Sequence, residues 1–390
     1  MVNTLIRRAT PALHKLDHAV GRLQRQRPLL VELRTPVYHA VLGPIVDALA
    51  GEPHVQVWYT SEYPDRIQPL VPRGSFLTHR EVEWRRFDAY INGDPWAAAR
   101  LRRCAHRVNF FHGVAGKYDL DNPAGLPMGF EYYTYVAFIN RDRMLRYLQA
   151  EVVTPAQARL VGYPKLDRLA RREYDAAAIR ASLGLAGGRT TVLYAPTYSE
   201  ASSLHLAGEA IVRTLAEEGF NVIVKLHDRS LDTDPRYNAG IDWRSRFQAL
   251  AASLPGRVAF TESPDASPVL AAADAMVTDH SSIGFEYLVL DRPLIVFDAP
   301  DLPRAARVNP EKVQLLRSAA DMARTPVETA RAVRAALAAP DRLSAPRRRI
   351  ARELFHEPGS ATARAVDLIR SVLGAGHVAT AAASNDGAAS

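Results

Sequence analysis

Three short stretches carry side chains suited to holding a charged ligand: Tyr194-Ala195-Pro196-Thr197-Tyr198, Lys225-Leu226-His227-Asp228-Arg229 and Thr278-Asp279-His280-Ser281-Ser282. Each follows a short apolar run that reads as a buried strand. The last also precedes a run with Ile283, Tyr287 and Leu290 on one face, a helix that Ser281 or Ser282 can cap. Carboxyl ends of parallel strands share one edge of their sheet, so residues distant in sequence meet there. That edge would hold Thr197, Lys225, His227, Arg229, Thr278, Asp279, Ser281 and Ser282. Cations, hydroxyls and backbone N–H groups together neutralise a diphosphate without any proton transfer. Glu286, one helical turn beyond Ser282, is placed to accept from ribose hydroxyls or to serve as a first-turn acid favoured by the helix dipole. Asp279 reads equally as part of this site, as the orienter of a histidine, or as a turn cap.

The first half offers a different chemistry. His112 ends the apolar run 108–111 beside Gly113, where the missing side chain lets a substrate approach closely. A neutral imidazole at such a strand end suits a general base for an attacking hydroxyl. Lys117, close behind, suits an anionic acceptor or transition state. Taken singly, a surface lysine at 225, a hydrogen-bonded histidine at 227 and a structural histidine at 112 are ordinary. Their shared position at strand ends favours the functional reading.

The elements that must position these residues alternate between strand and helix. In the first half, 29–33, 55–59, 108–111 and 135–139 read as strands. The stretches 36–50, 83–89 and 141–150 read as helices, and 159–168 as extended chain and a turn. A charged, Ala-rich connection over 171–189 ends at Gly187-Gly188. A second series follows, with strands 190–194, 222–226, 258–260, 275–277 and 294–297 and helices 204–218 and 241–252. The expected fold class is α/β, with two facing Rossmann-like domains (28–170 and 190–355) around a central cleft and a C-terminal helix within 356–375. The tail 376–390 is Ala, Ser, Gly and Thr with few large apolar groups, and is expected to be disordered.

The chain has 390 residues, 47% of them hydrophobic, enough core for two domains. A formal charge of +7 points to an anionic partner such as a nucleotide, anionic lipid or polyanionic polymer, and nothing in the motifs points to nucleic acid. Residues 1–27 set Arg7, Arg8, Lys15, Arg22, Arg25 and Arg27 against Asp17 with apolar residues at helical spacing. This basic amphipathic helix suits an anionic membrane surface or packing on its own domain. A single cysteine, Cys104, fits a reducing compartment. There is no apolar run of about 18 residues and no signal peptide, so a cytoplasmic protein, soluble or peripheral at the inner face of the membrane, is expected.

In their order along the chain, six motifs resemble those of the CDP-glycerol glycerophosphotransferases, the teichoic-acid-type polymerases and primases. They are His112-Gly113-Val114-Ala115-Gly116-Lys117, Gly162-Tyr163-Pro164-Lys165-Leu166-Asp167, Leu193-Tyr194-Ala195-Pro196-Thr197, Lys225-Leu226-His227, the 278–282 turn with Asp291-Arg292-Pro293, and Glu357-Pro358-Gly359-Ser360-Ala361. The resemblance spans roughly 105–372. It implies a GT-B fold and transfer of a polyol phosphate from a CDP-activated donor to a hydroxyl of a cell-envelope polymer or lipid-linked glycan. CMP would be released, with no cofactor and no metal. By motif, His112 would be the base and Lys225, His227, Ser281 and Ser282 would bind the donor's phosphates. The chain departs from the family pattern at His227-Asp228, where His-Pro is usual, at His280, where an aromatic is usual, and at Pro358-Gly359 in place of Asp-Gly. A GT-B glycosyltransferase that takes a nucleotide-sugar donor for surface polysaccharide shares the scaffold and stays open. So does a non-catalytic nucleotide-binding protein.

Overall fold

A computed structural model of the chain describes residues 25–94, 99–114, 120–124, 129–235 and 239–374. The expected amphipathic helix, apart from residues 25–27, and the tail over 376–390 lie outside the described residues. Arg27 already belongs to the first strand.

Strands apolar on both faces must be covered by helices on both sides, which is the condition of a parallel sheet. The first sheet is built from β1 (Arg27–Glu32), β2 (Val55–Thr60), β3 (Phe87–Asn92), β4 (Cys104–Phe110), β5 (Tyr135–Phe138) and β6 (Ala158–Leu160), in the order β2-β1-β3-β4-β5-β6. The second is built from β7 (Thr191–Tyr194), β8 (Asn221–Lys225), β9 (Val258–Thr261), β10 (Ala275–Thr278), β11 (Leu294–Phe297) and β12 (Asp321–Ala323), in the order β12-β11-β10-β7-β8-β9. All pairings between these strands are parallel. The winding reverses between β1 and β3 in the first sheet and between β7 and β10 in the second, and such reversals open a crevice at the strands' carboxyl ends.

The covering helices are α1 (Pro36–Ala50), α2 (Arg141–Gln149), α3 (Ser203–Glu217), α4 (Trp243–Ser253), α5 (Ser282–Tyr287), α6 (Pro310–Arg317), α7 (Pro326–Ala338), α8 (Ser344–Leu354) and α9 (Ala361–Leu373). Proline stands in the first turn of α1, α6 and α7, where its missing N–H costs nothing. The last helix does not stay with the second sheet. It packs on α1 and β3, and Arg370 Nε donates to Glu52 at 2.7 Å. Asp167 fixes its start, its carboxylate accepting from the amides of Gly359 (2.9 Å), Ala361 (3.1 Å) and Thr362 (2.6 Å). The chain between Gly162 and Asp167 and the chain around Glu357 to Ala361 are thus two halves of one structural joint.

The stretch expected to be helical over 83–89 is instead the end of a helix and the start of a strand. Thr78 and Glu81 form a reciprocal capping box that starts the helix early, at His79–Trp84. Phe87–Asn92 then enters the middle of the first sheet, where all six residues are buried, including the polar Asp88 and Asn92. The edge strand β12 and helix α6 are further elements that the apolar pattern did not announce.

Candidate active site

Register assembles the second sheet's polar edge. Val277 of β10 pairs with Tyr194 of β7, and Tyr194 pairs with Val224 of β8. The residues that follow, Ala195, Lys225 and Thr278, therefore emerge side by side. Thr278 Oγ1 donates to the Ala195 carbonyl at 2.6 Å. Asp279 accepts from the amides of Thr197 (2.9 Å) and Ser203 (3.1 Å) and from Ser203 Oγ (2.9 Å). Both side chains are fully buried. Of the three roles open to Asp279, the observed one is structural: with Thr278 it ties the β7 and β10 turns together rather than facing a ligand.

Thr197, Lys225, His227 and Arg229 have a different setting. Thr197 Oγ1 is buried and has no hydrogen-bond partner among the described residues. His227 packs on Tyr198 with ring centroids 4.6 Å apart, and the Arg229 guanidinium lies 5.4 Å from the centre of the same ring, so the β7 and β8 turns touch. Asp228 Oδ1 lies 2.6 Å from His227 Nδ1. Burial would raise the Asp228 pKa, but the His227 contact and charge outweigh it and hold the carboxyl at about 2. Lys225 is buried with its Nζ donating to the Leu226 carbonyl at 2.6 Å. Burial pulls its pKa down to about 8, with the positive charge of Lys165 adding to the effect and Asp228 opposing it. A buried ammonium with depressed pKa is a group that an incoming anion stabilises.

Ser281 occupies the N-cap position of α5, yet its side chain makes no capping hydrogen bond, and both Ser281 and Ser282 are half-buried. The helix is a short one that tightens into a 3-10 turn over Leu288–Leu290 and closes at Asp291 in the left-handed region (φ 53°). Asp291 in turn accepts from Ser344 Oγ (2.6 Å) and Arg347 Nε (2.9 Å), so this part of the motif is structural. His280 is buried against Arg317, whose Nη2 lies 3.4 Å from His280 Nε2 and also donates to Asp298 at 2.6 Å.

Glu286 is not left open for a ribose. It accepts from Lys165 Nζ at 2.7 Å, and the two side chains are only 5% and 7% exposed. Burial alone would lower the Lys165 pKa, but Glu286 overcomes it and the net shift is upward. Lys165 comes from the turn after β6, so this ion pair joins the two sheets' halves. Its only signal in the sequence was its place within the Gly162 to Asp167 motif.

On the first sheet, His112 follows β4 and is half-buried. Its Nδ1 lies 2.6 Å from the Gly93 carbonyl, and its Nε2 lies 3.2 Å from Tyr38 Oη. Tyr38 Oη is also 3.1 Å from Asp94 Oδ2, which receives Arg34 Nη1 at 2.8 Å. Burial holds the His112 pKa below the ordinary histidine value, partly offset by Asp94. The imidazole is therefore neutral at pH 7, as a base requires. Tyr38, Asp94 and Arg34 had no sequence signal beyond their types. Lys117 lies outside the described residues.

The two edges face one another. Gly113 has φ +68°, and a Cβ built there would sit 3.5 Å from Ser282 Oγ. The turn that carries His112 thus lies against the start of α5. Beneath it, Arg143 donates from Nη1 to the Gly113 carbonyl at 2.9 Å and from Nε and Nη2 to Asp121 at 3.0 and 2.9 Å. Asp121 also accepts from Asn309 at 3.3 Å, just before α6. A neutral imidazole on one sheet and an edge bearing Lys225, His227, Arg229 and two serine hydroxyls on the other, across a cleft pinned by buried polar contacts, would suit group transfer to a hydroxyl.

Residues 146–370 match the family model described as CDP-glycerol:poly(glycerophosphate) glycerophosphotransferase. The chain belongs to this family. It is a glycerophosphotransferase-like transferase, and the matched span runs from α2 into α9, so the Lys225, Ser281 and Lys165 turns lie inside it and His112 ahead of it. Among solved structures, the wall teichoic acid polymerase TagF is similar at 15% identity and a TM-score of 0.67, covering 96% of each chain. A variant of that polymerase soaked with CDPG matches with the same figures. A UDP-GlcNAc 2-epimerase from Neisseria meningitidis bound to UDP-GlcNAc is similar at 13% identity and a TM-score of 0.56, over 89% of this chain and 100% of the other. These likenesses establish the two-domain GT-B fold. No curated protein matches the sequence. Among the described residues no helix is long and apolar enough to cross a membrane.

Proposed function

We propose that the protein transfers glycerol phosphate from CDP-glycerol to a hydroxyl of a cell-envelope polymer or lipid-linked glycan and releases CMP. His112 Nε2 takes the proton of the acceptor hydroxyl. The acceptor oxygen forms a bond to the β-phosphorus as the bond from that phosphorus to the bridging oxygen breaks, and CMP departs with the electron pair. Lys225, His227, Arg229 and the Ser281 and Ser282 hydroxyls hold the diphosphate, with Thr197 Oγ1 available as a further contact. In this reading residues 28–170 hold the acceptor and 190–355 the donor, and the work is positioning plus charge stabilisation. The basic N-terminal stretch would keep a cytoplasmic enzyme at the inner membrane face, beside a lipid-linked acceptor. The observation that carries the reading is the approach of the Gly113 turn to Ser282.

Thermal-shift measurements with CDP-glycerol, CDP-ribitol, CMP-sugars and UDP-sugars test it. CDP-glycerol is expected to raise Tm most, and a larger rise with a UDP-sugar would overturn the donor assignment. Calorimetry on a Ser281→Ala/Ser282→Ala variant is expected to give roughly 10²-fold weaker CDP-glycerol binding, the loss of two hydrogen bonds to a charged group; unchanged affinity would remove the serines from the site.

Lys225 makes the binding pH-dependent in a defined direction. Below about pH 8 its ammonium is present in the empty site, carrying a desolvation burden of about 3 kcal/mol that a diphosphate relieves. Above that pH the free enzyme's lysine is neutral, and binding must first recover a proton. Affinity for CDP-glycerol should therefore fall by about 10-fold per pH unit above pH 8, and Lys225→Met should bind weakly with a flat profile. A flat profile in the unaltered protein would show that Lys225 does not touch the phosphates.

A further inference from the structure

The surroundings of His112 contain a second layer that the transfer reaction does not by itself require. The Gly93 carbonyl can only accept, so His112 Nδ1 carries the hydrogen that spans their 2.6 Å separation. Nε2 is then the nitrogen with the free electron pair. Tyr38 Oη stands beside it at 3.2 Å, and the two rings meet edge-on with centroids 4.6 Å apart. The phenol has one hydrogen and two acceptors in reach, the neutral Nε2 and the Asp94 carboxylate at 3.1 Å. The charged acceptor takes it. Tyr38 Oη therefore turns a lone pair, not a hydrogen, toward Nε2.

Resting on the reading of His112 as the base, we propose that Tyr38 and Asp94, held by Arg34, form a relay that stabilises the His112 imidazolium created when the acceptor hydroxyl gives up its proton. Before the transfer, Nε2 is open to the acceptor because Tyr38 does not donate to it. Once Nε2 holds the acceptor's proton, Nε2–H donates to Tyr38 Oη, whose own hydrogen stays directed at Asp94. One proton moves, from the acceptor oxygen to Nε2, and it goes no further. Burial and the Asp94 charge raise the Tyr38 pKa well above that of a free phenol, so the tyrosine keeps its hydrogen throughout.

The segment 92–94 serves both ring nitrogens at once, since Gly93 supplies the carbonyl for Nδ1 and Asp94 the carboxylate behind Tyr38. A Cβ at Gly93 would overlap the Tyr38 ring. Charged groups bear on His112 from four segments. Asp94 after β3 favours the imidazolium, with Tyr38 on α1 between them, while Arg143 on α2 and Lys165 after β6 oppose it. Arg34, before α1, neutralises part of the Asp94 charge through their 2.8 Å contact. Asp94 is the one anion in this set, so it is the charge that opposes burial and favours a proton on Nε2.

The test is an NMR titration of the full chain with labelled histidine, in which the His112 resonance is assigned among the 12 histidines by its loss in His112→Ala. Asp94→Asn and Tyr38→Phe are each expected to move the His112 midpoint to lower pH, by about one unit for the lost carboxylate. Arg34→Gln is expected to move it the other way, because Asp94 is then less neutralised. In CMP release from CDP-glycerol the acid limb should follow the same three shifts. A purely structural role for Tyr38 and Asp94 would lower the plateau and leave the midpoint in place, and that result would overturn the relay. Should Tyr38→Phe fail to fold, the opposite signs of Asp94→Asn and Arg34→Gln decide the matter. Retained activity in His112→Ala, with the titration shifts intact, would instead remove His112 as the base.

Discussion

Replacing His112 with alanine is expected to lower kcat by about 10²-fold or more, with the affinity for CDP-glycerol nearly unchanged. The asymmetry follows from position. The imidazole belongs to the first sheet's edge, whereas the lysine, arginine and hydroxyls expected to hold the diphosphate belong to the second. In the proposed reading, its loss removes the group that takes a proton from the acceptor and leaves the groups that hold the donor. The residual rate would come from positioning and charge, which the remaining side chains still supply. The unaltered enzyme with saturating donor should hold its kcat at neutral pH and lose it as pH falls through a value below the ordinary histidine pKa, because burial disfavours the imidazolium. Single-turnover release of CMP, measured beside calorimetric donor binding, separates the two quantities. Near-normal turnover with a defined acceptor would end the assignment, and a matching loss of donor affinity would place His112 in the donor site instead.

How much of this was legible in the sequence differs between the two halves of the site. The second sheet's edge was readable because its strands are short apolar runs and the chemistry begins where each run stops, as at Val224-Lys225 and Val277-Thr278. Helix 36–50 and strand 294–297 were read to the residue, since proline and the polar turns bracket them. β3 was hidden because Asp88 and Asn92 interrupt its apolar pattern, and their cost is met only in the folded state: Asn92 donates to Tyr133 Oη at 2.8 Å, and Asn109 Nδ2 donates to Asn92 Oδ1 at 2.8 Å. Side-chain partners were the least legible feature. Thr278 and Asp279 have the right types for a phosphate site and stand at the right strand end, yet both face inward. Tyr38, Asp94 and Lys165 acquire meaning only from partners 74, 56 and 121 residues away in sequence. Motif reading locates the edge where chemistry is expected; partners decide which side chains there remain open to a ligand.

Lys165→Met should be strongly destabilising, lowering stability by about 3–5 kcal/mol. The side chain is nearly fully buried, and its loss strands Glu286 in the same dry contact without a counter-ion. Glu286 then either ionises unpaired or takes up a proton, and each route costs free energy. The pair links the turn after β6 to α5, so the damage falls where the two sheets' halves meet, and the cleft contacts are the first expected to open. Urea unfolding followed through both halves would show a new early transition. A Lys165→Met/Glu286→Leu variant removes both charges and should recover most of the loss, since buried ion pairs and well-packed apolar pairs are close in free energy. A Lys165→Met protein as stable as the parent would mean that water reaches Glu286. The same substitution carries an electrostatic consequence at a distance. Lys165 depresses the pKa values of both His112 and Lys225, so without it the pH at which donor binding weakens should move upward from about 8 and the acid limb of turnover should move upward with it. Shifts of both limbs in the same direction from one substitution would place Lys165 between base and donor site, as a cation that tunes the two together.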